Sequence, residues 1–328
     1  MIGVACSVLA LVAAGCADGE PAAGPPTTAS AGPASSTAPT TTVGPPPADA
    51  ADAADAADTP WPPAAIVGDP AADEVAAALT AAERVIRDMA STDDEAARAG
   101  VTQQLLFREM AARPEIDDAV LAAVGDDVRP TVERVVTARR FVQQRSAADT
   151  TPTPPSPTLP AWRVVEPMPV DELRALYDEA ETITGVPWYW LAAIHLQETR
   201  MGRVVGISAD GAVGPMQFLP TTWAECCTGD PLATRDAIIG AGTYLVDSGA
   251  PGDMAAAVRQ YNPNDSYVAL VTAYAENLRD EPALLRGYHA WQVFAGTSAG
   301  TVRVPIGYAE PAAVDAAEYL AAHPDDRA

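Results

Sequence analysis

Between residues 69 and 145, apolar positions recur at three- and four-residue intervals, as in Val75, Leu79, Ala82, Val85, Ile86 and Met89. That spacing places side chains on one face of an α-helix. Asp69-Pro70 marks the start of this region, and Arg113-Pro114 and Gly125-Asp126 break it, so three or four helices are expected. From 168 to 294 the periodicity is again helical but differently punctuated. One amphipathic helix is expected over 171–184, stopped by Gly185, and Pro187 opens a second. Further helices are expected over 221–226, 235–248, 253–260 and 266–278. No sustained alternation of apolar and polar positions calls for a substantial sheet, and the expected fold class is mostly α.

The remaining segments read differently. Residues 2–15 form an apolar stretch too short to span a bilayer and suited to the core of an export signal. Residues 17–63 hold 11 of the 31 prolines among Thr, Ser, Gly and an Ala-Asp repeat, with six acids and no base, a composition that cannot bury a core and is expected to be disordered. At roughly 3 Å per residue, such a stalk would reach on the order of 100 Å when largely extended. A second proline-rich stretch, 150–160, separates the two helical regions. The expected organisation is a signal peptide over 1–16, a stalk over 17–63, a small helical module over 64–149, a linker over 150–160, a catalytic domain over 161–296 and a tail over 297–328.

All 20 basic residues are Arg, against 44 acids, giving a net charge of −24 that is spread along the chain. Phosphate neutralisation requires clustered cations, so a general nucleic-acid binder is excluded. Ala14-Gly15-Cys16 resembles a bacterial lipobox, in which the cysteine is acylated and becomes the N-terminus, although Ala13 stands where Leu is favoured and no basic residue precedes the apolar run. The alternative is an ordinary cleaved signal with an incidental cysteine. Loss of Cys6 and acylation of Cys16 would leave only Cys226 and Cys227, which either close a disulfide between neighbours or remain two small buried thiols.

Within the second helical region Leu191, Ile194 and Glu198 share one stripe, so that a carboxylate ends an apolar face. Desolvation there would raise its pKa into the range of a general acid; pairing with Arg200 or Arg203 is the structural alternative. Glu198-Thr199-Arg200-Met201-Gly202 is followed by Gly214-Pro215-Met216-Gln217-Phe218, by Thr222-Trp223, and by Gln260-Tyr261-Asn262-Pro263. This ordered set resembles the lytic transglycosylases, most closely their membrane-bound B-type branch and actinobacterial relatives, over roughly 167–294.

The resemblance implies a goose-lysozyme-like helical fold that cleaves the MurNAc-β-1,4-GlcNAc bond of peptidoglycan glycan strands and closes a 1,6-anhydro ring. It implies Glu198 as the single acid and then base, Met216 and Gln217 lining the cleft, and Tyr261 with Asn262 orienting the sugar. Ser208 resembles the cleft serine ahead of the Gly-x-Met-Gln motif. Thr199 replaces a more usual Ser and keeps the hydroxyl. Trp223 is followed by Ala-Glu-Cys-Cys rather than by the Asp-Gly repeat of a calcium loop, so no metal and no cofactor are expected. A hydrolytic muramidase on the same fold and a non-catalytic wall-binding protein are the alternatives, and other wall proteins are candidate partners.

Of the aromatics, Trp188 and Trp190 cannot share one helix face, which leaves at least one for a cleft or a domain junction. His195 lies three residues before Glu198, where it either tunes the acid or fills the core. An extracytoplasmic, lipid-anchored location is the expectation for the whole chain. Cys16→Ala is therefore expected to release the protein from membranes, and unchanged partitioning into detergent would refute the anchor.

Overall fold

The computed structural model describes residues 68–150, 152 and 154–328; the expected signal, Cys16 and the stalk lie outside the described residues. The protein is mostly helical, as its periodicity anticipates. Four helices come first: α1 (Ala72–Arg87), α2 (Asp93–Ala112), α3 (Asp117–Ala123) and α4 (Arg129–Ala148). Their ends follow the local chemistry. Thr92 and Glu95 form a capping box that satisfies backbone N–H groups at the start of α2, and Pro130 occupies the first turn of α4, where no helical hydrogen bond is lost.

After the short strands β1 (Thr158–Leu159) and β2 (Arg163–Val164) the chain forms α5 (Val170–Thr184), ended by Gly185 in the left-handed region at φ 76°. Then come α6 (Trp188–Thr199), the strand β3 (Val204–Val205), α7 (Pro220–Cys226), α8 (Thr234–Asp247), α9 (Met254–Tyr261), α10 (Asp265–Asp280) and α11 (Leu284–His289). Asp253 and Asn264 cap α9 and α10 through their side-chain oxygens. The chain ends in β4 (Val293–Thr297), β5 (Gly300–Val304), β6 (Val314–Asp315) and α12 (Ala316–Ala322).

One continuous apolar core runs from Val75 and Leu79 in α1 through Leu191 and Ile194 in α6 to Tyr288 and Trp291. The α1–α4 region is therefore packed into the same core as the helices that follow. α4 lies along α10, α10 lies along α6, and α2 lies against α11. Polar ties cross the same seam. Asn277 donates to the Thr131 carbonyl at 3.0 Å, the Trp291 indole donates to Gln103 at 3.0 Å, and Gln104 exchanges hydrogen bonds with the Gln292 backbone at 2.7 and 2.9 Å. Glu83, buried on α1, is held by Arg87, Gln103 and Thr131.

The segments expected as linker and tail have structure of their own. β1 pairs antiparallel with β6, β2 with β3, and β4 with β5 in a hairpin. With α12 they enclose a second, smaller core of Leu159, Val164, Val293, Val302, Val304 and Leu320. The boundary drawn at residue 296 thus falls inside β4, and the boundary at 160 falls next to β1. The pairing of β1 with β6 spans more than 150 positions of sequence, which is why no local pattern announced it.

Close approach of backbones fixes one residue type at the seam. A Cβ on Gly100 of α2 would lie 2.4 Å from the Gly287 carbonyl oxygen of α11, so the helices must separate to admit any side chain. Gly100→Ala is expected to lower stability by about 2 kcal/mol, or roughly 4–8 °C in Tm. Gly296→Ala, whose Cβ would meet nothing within 4 Å, is expected to stay within about 0.5 kcal/mol of the parent. Thermal unfolding of both variants measures the difference.

Candidate active site

α6 is apolar on nearly every side: Leu191, Ala192, Ala193, Ile194 and Leu196 are fully buried, as a helix surrounded by other helices requires. Its last turn carries Glu198, only 1% exposed. The arginine pairing that would have made this residue structural does not occur. Arg200 donates instead to the Leu196 carbonyl, and Arg203 faces Glu166 and the His289 carbonyl. The one side chain on the Glu198 carboxyl is Tyr267 of α10, whose hydroxyl donates to Oε1 at 2.7 Å, while Oε2 has no hydrogen-bond partner within the described residues. Burial pushes the carboxyl up to about 8, against the smaller lowering by the Tyr267 hydrogen bond. At neutral pH Glu198 is therefore held mainly as the acid.

The loop after α6 is bound to this carboxyl's surroundings from two sides. Arg200, Met201 and Gly202 take positive φ in succession and turn the chain out of the helix. The Thr199 hydroxyl donates to the Pro215 carbonyl at 2.7 Å and accepts from the Gly202 N–H, which is the use this fold makes of the residue beside the acid. Tyr261, at the end of α9, donates from its hydroxyl to the Met216 carbonyl at 2.6 Å. Between these anchors Gly214 cannot carry a side chain, because a Cβ would meet the Pro231 carbonyl oxygen at 1.9 Å. Gln217 adopts φ 49° and closes the turn by donating to the Gly214 carbonyl. Phe218 packs edge-on against Trp223, Tyr244 and Tyr261.

The expected site residues are therefore differently placed. Glu198, Met216 and Tyr261 meet in one region, with the Glu198 charge helping to push the Tyr261 phenol up. Met216 and Tyr261 are fully buried, and the Tyr261 hydroxyl is engaged by the loop backbone. Asn262 is buried beside Tyr261; its Oδ1 accepts from the Asn264 N–H, and its Nδ2 has no partner among the described residues. Ser208 is half-buried, and its hydroxyl accepts from the Asp210 and Ala212 N–H groups of its own loop. His195 is buried, bonded through Nδ1 to the Tyr177 hydroxyl at 2.8 Å, and kept neutral by burial, with its pKa near 3. Trp188 sits in the core beneath the Arg174 guanidinium, while Tyr189 and Trp190 are half-buried.

Tyr267 is the member of the site that periodicity and motif did not single out. Its only sequence signal is the stripe Tyr267, Val271, Tyr274 and Leu278 along the buried face of α10. Cys226 and Cys227 are joined in a disulfide at the end of α7. Among the described residues no group of three His, Cys, Asp or Glu is arranged to hold a metal ion, and no helix is long and apolar enough to cross a membrane.

Comparison with known proteins yields one partial similarity. Over 79 residues the chain is 34% identical to the membrane-bound lytic murein transglycosylase F of Thiobacillus denitrificans. The match covers 24% of this chain and 17% of that protein's length. No family model matches the chain, and no solved structure matches it.

The raised carboxyl makes stability depend on pH in a defined sense. Between pH about 4.5 and 8 the folded state retains a proton that the unfolded chain releases, so this group's contribution falls as pH rises through that window. Glu198→Gln removes the titration. It is expected to be more stable than the parent by at least about 1 kcal/mol near pH 8, with the gap closing toward pH 4. Tyr267→Phe leaves both carboxyl oxygens unpartnered and is expected to cost about 1–2 kcal/mol at neutral pH, and more above pH 8, where the hydroxyl holds the ionised form. Denaturant unfolding at several pH values checks both.

Proposed function

We propose that the protein is a peptidoglycan lytic transglycosylase that cleaves the MurNAc-β-1,4-GlcNAc bond, with Glu198 as acid and then base. The observation that carries this reading is a buried carboxyl with no cation beside it, kept protonated at neutral pH by desolvation, at the first of three ordered motifs. The similarity to part of a lytic murein transglycosylase points the same way.

The reaction begins with proton transfer from Glu198 to the glycosidic oxygen. The C1–O bond breaks with its electron pair on the departing GlcNAc oxygen, and positive charge develops at MurNAc C1. The Glu198 carboxylate, which the Tyr267 hydroxyl stabilises, then takes the proton from the MurNAc C6 hydroxyl as that oxygen bonds to C1. The 1,6-anhydro ring closes, Glu198 is again protonated, and no water is consumed. A pair of carboxylates, as glycoside hydrolysis ordinarily requires, is not called for. Consistent with this, no other carboxylate contributes to the charge environment of Glu198. Met216 and Asn262, both fully buried, would line the inner wall of the cleft behind the Gln217 turn, and Ser208 would shape the neighbouring turn.

In this reading the chain is exported, carries lipid on Cys16, and uses the 17–63 stalk to reach the wall from the membrane. The α1–α4 helices brace the catalytic helices from behind. Digestion of purified peptidoglycan followed by mass spectrometry tests the proposal. The parent is expected to release 1,6-anhydromuropeptides and Glu198→Gln to release none while still sedimenting with the polymer. Products heavier by one water would identify a hydrolase, and binding without turnover by the parent would identify a wall-binding protein.

A further inference from the structure

Cys226 and Cys227 are neighbours in sequence, and the fold joins them in a disulfide at the end of α7. In the chain-entropy account a cross-link stabilises a protein through the loop it closes in the unfolded state, and the gain grows with the length of that loop. This bond closes no such loop, because no residue stands between its two cysteines. Its entropic contribution to global stability is therefore the smallest a disulfide can make, and holding the whole fold together is not its role.

The bond sits instead at the base of the 228–233 loop, which supports the 214–218 turn. The Cys227 sulfur lies 3.5 Å from the Gly240 carbonyl oxygen of α8. A Cβ on Gly240 would meet that sulfur at 3.4 Å and the Trp223 ring at 2.4 Å, so sulfur and indole rest side by side on one patch of α8. The Trp223 ring packs edge-on against Phe218, with centroids 5.1 Å apart, and its N–H points to the Gly229 carbonyl at 3.3 Å. Past Gly229, the Asp230 N–H donates to Asp236 of α8 at 3.0 Å, and the Pro231 carbonyl is the group pressed against Gly214. The disulfide thus fixes the near end of the loop and Asp236 its far side. Both cysteines are half-buried, and Ala224, Glu225 and Thr228 around them are exposed, which puts the pair at the surface, where a dissolved thiolate meets it. The reduced state is provided for as well, because the Gly240 carbonyl is already within reach of a Cys227 thiol as its acceptor.

We propose that Cys226 and Cys227 form a reversible thiol–disulfide exchange site whose reaction partner is a dithiol, and that its state sets the order of the 214–218 and 228–233 segments. A thiolate of the dithiol attacks the Cys226 sulfur, and the S–S bond breaks with its electron pair on the Cys227 sulfur, which takes up a proton and donates a hydrogen bond to the Gly240 carbonyl. The second thiol of the dithiol then attacks the mixed disulfide and releases Cys226, which is protonated in turn. Two electrons and two protons pass to the cysteine pair, and the dithiol leaves as a disulfide. Exchange with an external disulfide reverses the reaction. Once separate, the two side chains no longer fix each other's rotamers, and the backbone between Cys227 and Gly229 gains the freedom that the closed ring withheld.

The site is tested without any glycan, so its failure and the failure of the catalytic reading are separate results. Purified full-length protein is held at pH 7 with or without dithiothreitol, and samples are alkylated with iodoacetamide for peptide mass spectrometry. Both cysteines of the pair are expected to become alkylated while circular dichroism still reports the folded protein, and to be protected again after transfer to oxidised glutathione. Hydrogen–deuterium exchange on the two folded forms then reads the loop. The Phe218 N–H, bonded to the Val213 carbonyl, and the Asp230 N–H are expected to exchange on the order of threefold to tenfold faster in the reduced form, with the α2 amides unchanged. The double variant Cys226→Ser/Cys227→Ser is expected to exchange at the fast rate with or without dithiothreitol; should it fail to fold, the comparison of the two parent forms decides. Resistance of the pair to alkylation until the protein unfolds, equal exchange of both segments in the two parent forms, or slow exchange in the double variant overturns the exchange site.

Discussion

The withdrawal of one carboxyl from water, with a single phenol to hold it, is the constraint around which the molecule is arranged. Glu198 is nearly inaccessible and no cation neutralises it, so burial dominates its protonation. A lone buried carboxylate would be costly, and the neutral acid with one hydrogen bond is the form the site accommodates. Tyr267 limits the effect, since its hydroxyl favours the ionised form. The acid is thereby left able to give up its proton and take one back.

That arrangement depends on how three helices are layered. α6 brings Glu198, α10 brings Tyr267, and α4 also packs along α10. The α1–α4 region shares the core of α5–α11 and is tied to α10 through Thr131 and Asn277. Its physical role is that of a backing layer: without it α10 would present an apolar face to solvent and lose the support that fixes Tyr267 against Glu198. The loop bearing Met216 and Gln217 is held in a complementary way, by the Thr199 hydroxyl from α6 and the Tyr261 hydroxyl from α9.

What could be read from the chain divides along the range of the interactions. Helices set by local periodicity and by a cap or stop, such as α5 ending at Gly185 or α10 starting at Asn264, were legible within a residue or two. Glu198 was legible because it ends an apolar stripe and opens a recurrent motif order. Tyr267 was not, because its contact crosses 69 positions and depends on the packing of α10 on α6. The hairpin of β4 and β5 escaped notice for a related reason: β4 buries three consecutive residues, Val293, Phe294 and Ala295, and so lacks the alternation that marks a half-exposed strand. The resemblance leads to the expectation that Tyr261 with Asn262 orients the sugar; in the fold the Tyr261 hydroxyl donates to the Met216 carbonyl. Between a bonded and an unbonded cysteine pair the residues alone did not decide, and the fold joins them.

The chemistry proposed for Glu198 depends on its protonation state, and that can be measured without reference to any substrate. A carbon-13 NMR titration of the glutamate carboxyls, with the Glu198 signal assigned by its loss in Glu198→Gln, should give a midpoint near 8. A midpoint at the ordinary 4.5 would mean that the carboxyl is solvated and ionised at neutral pH, and would contradict the account.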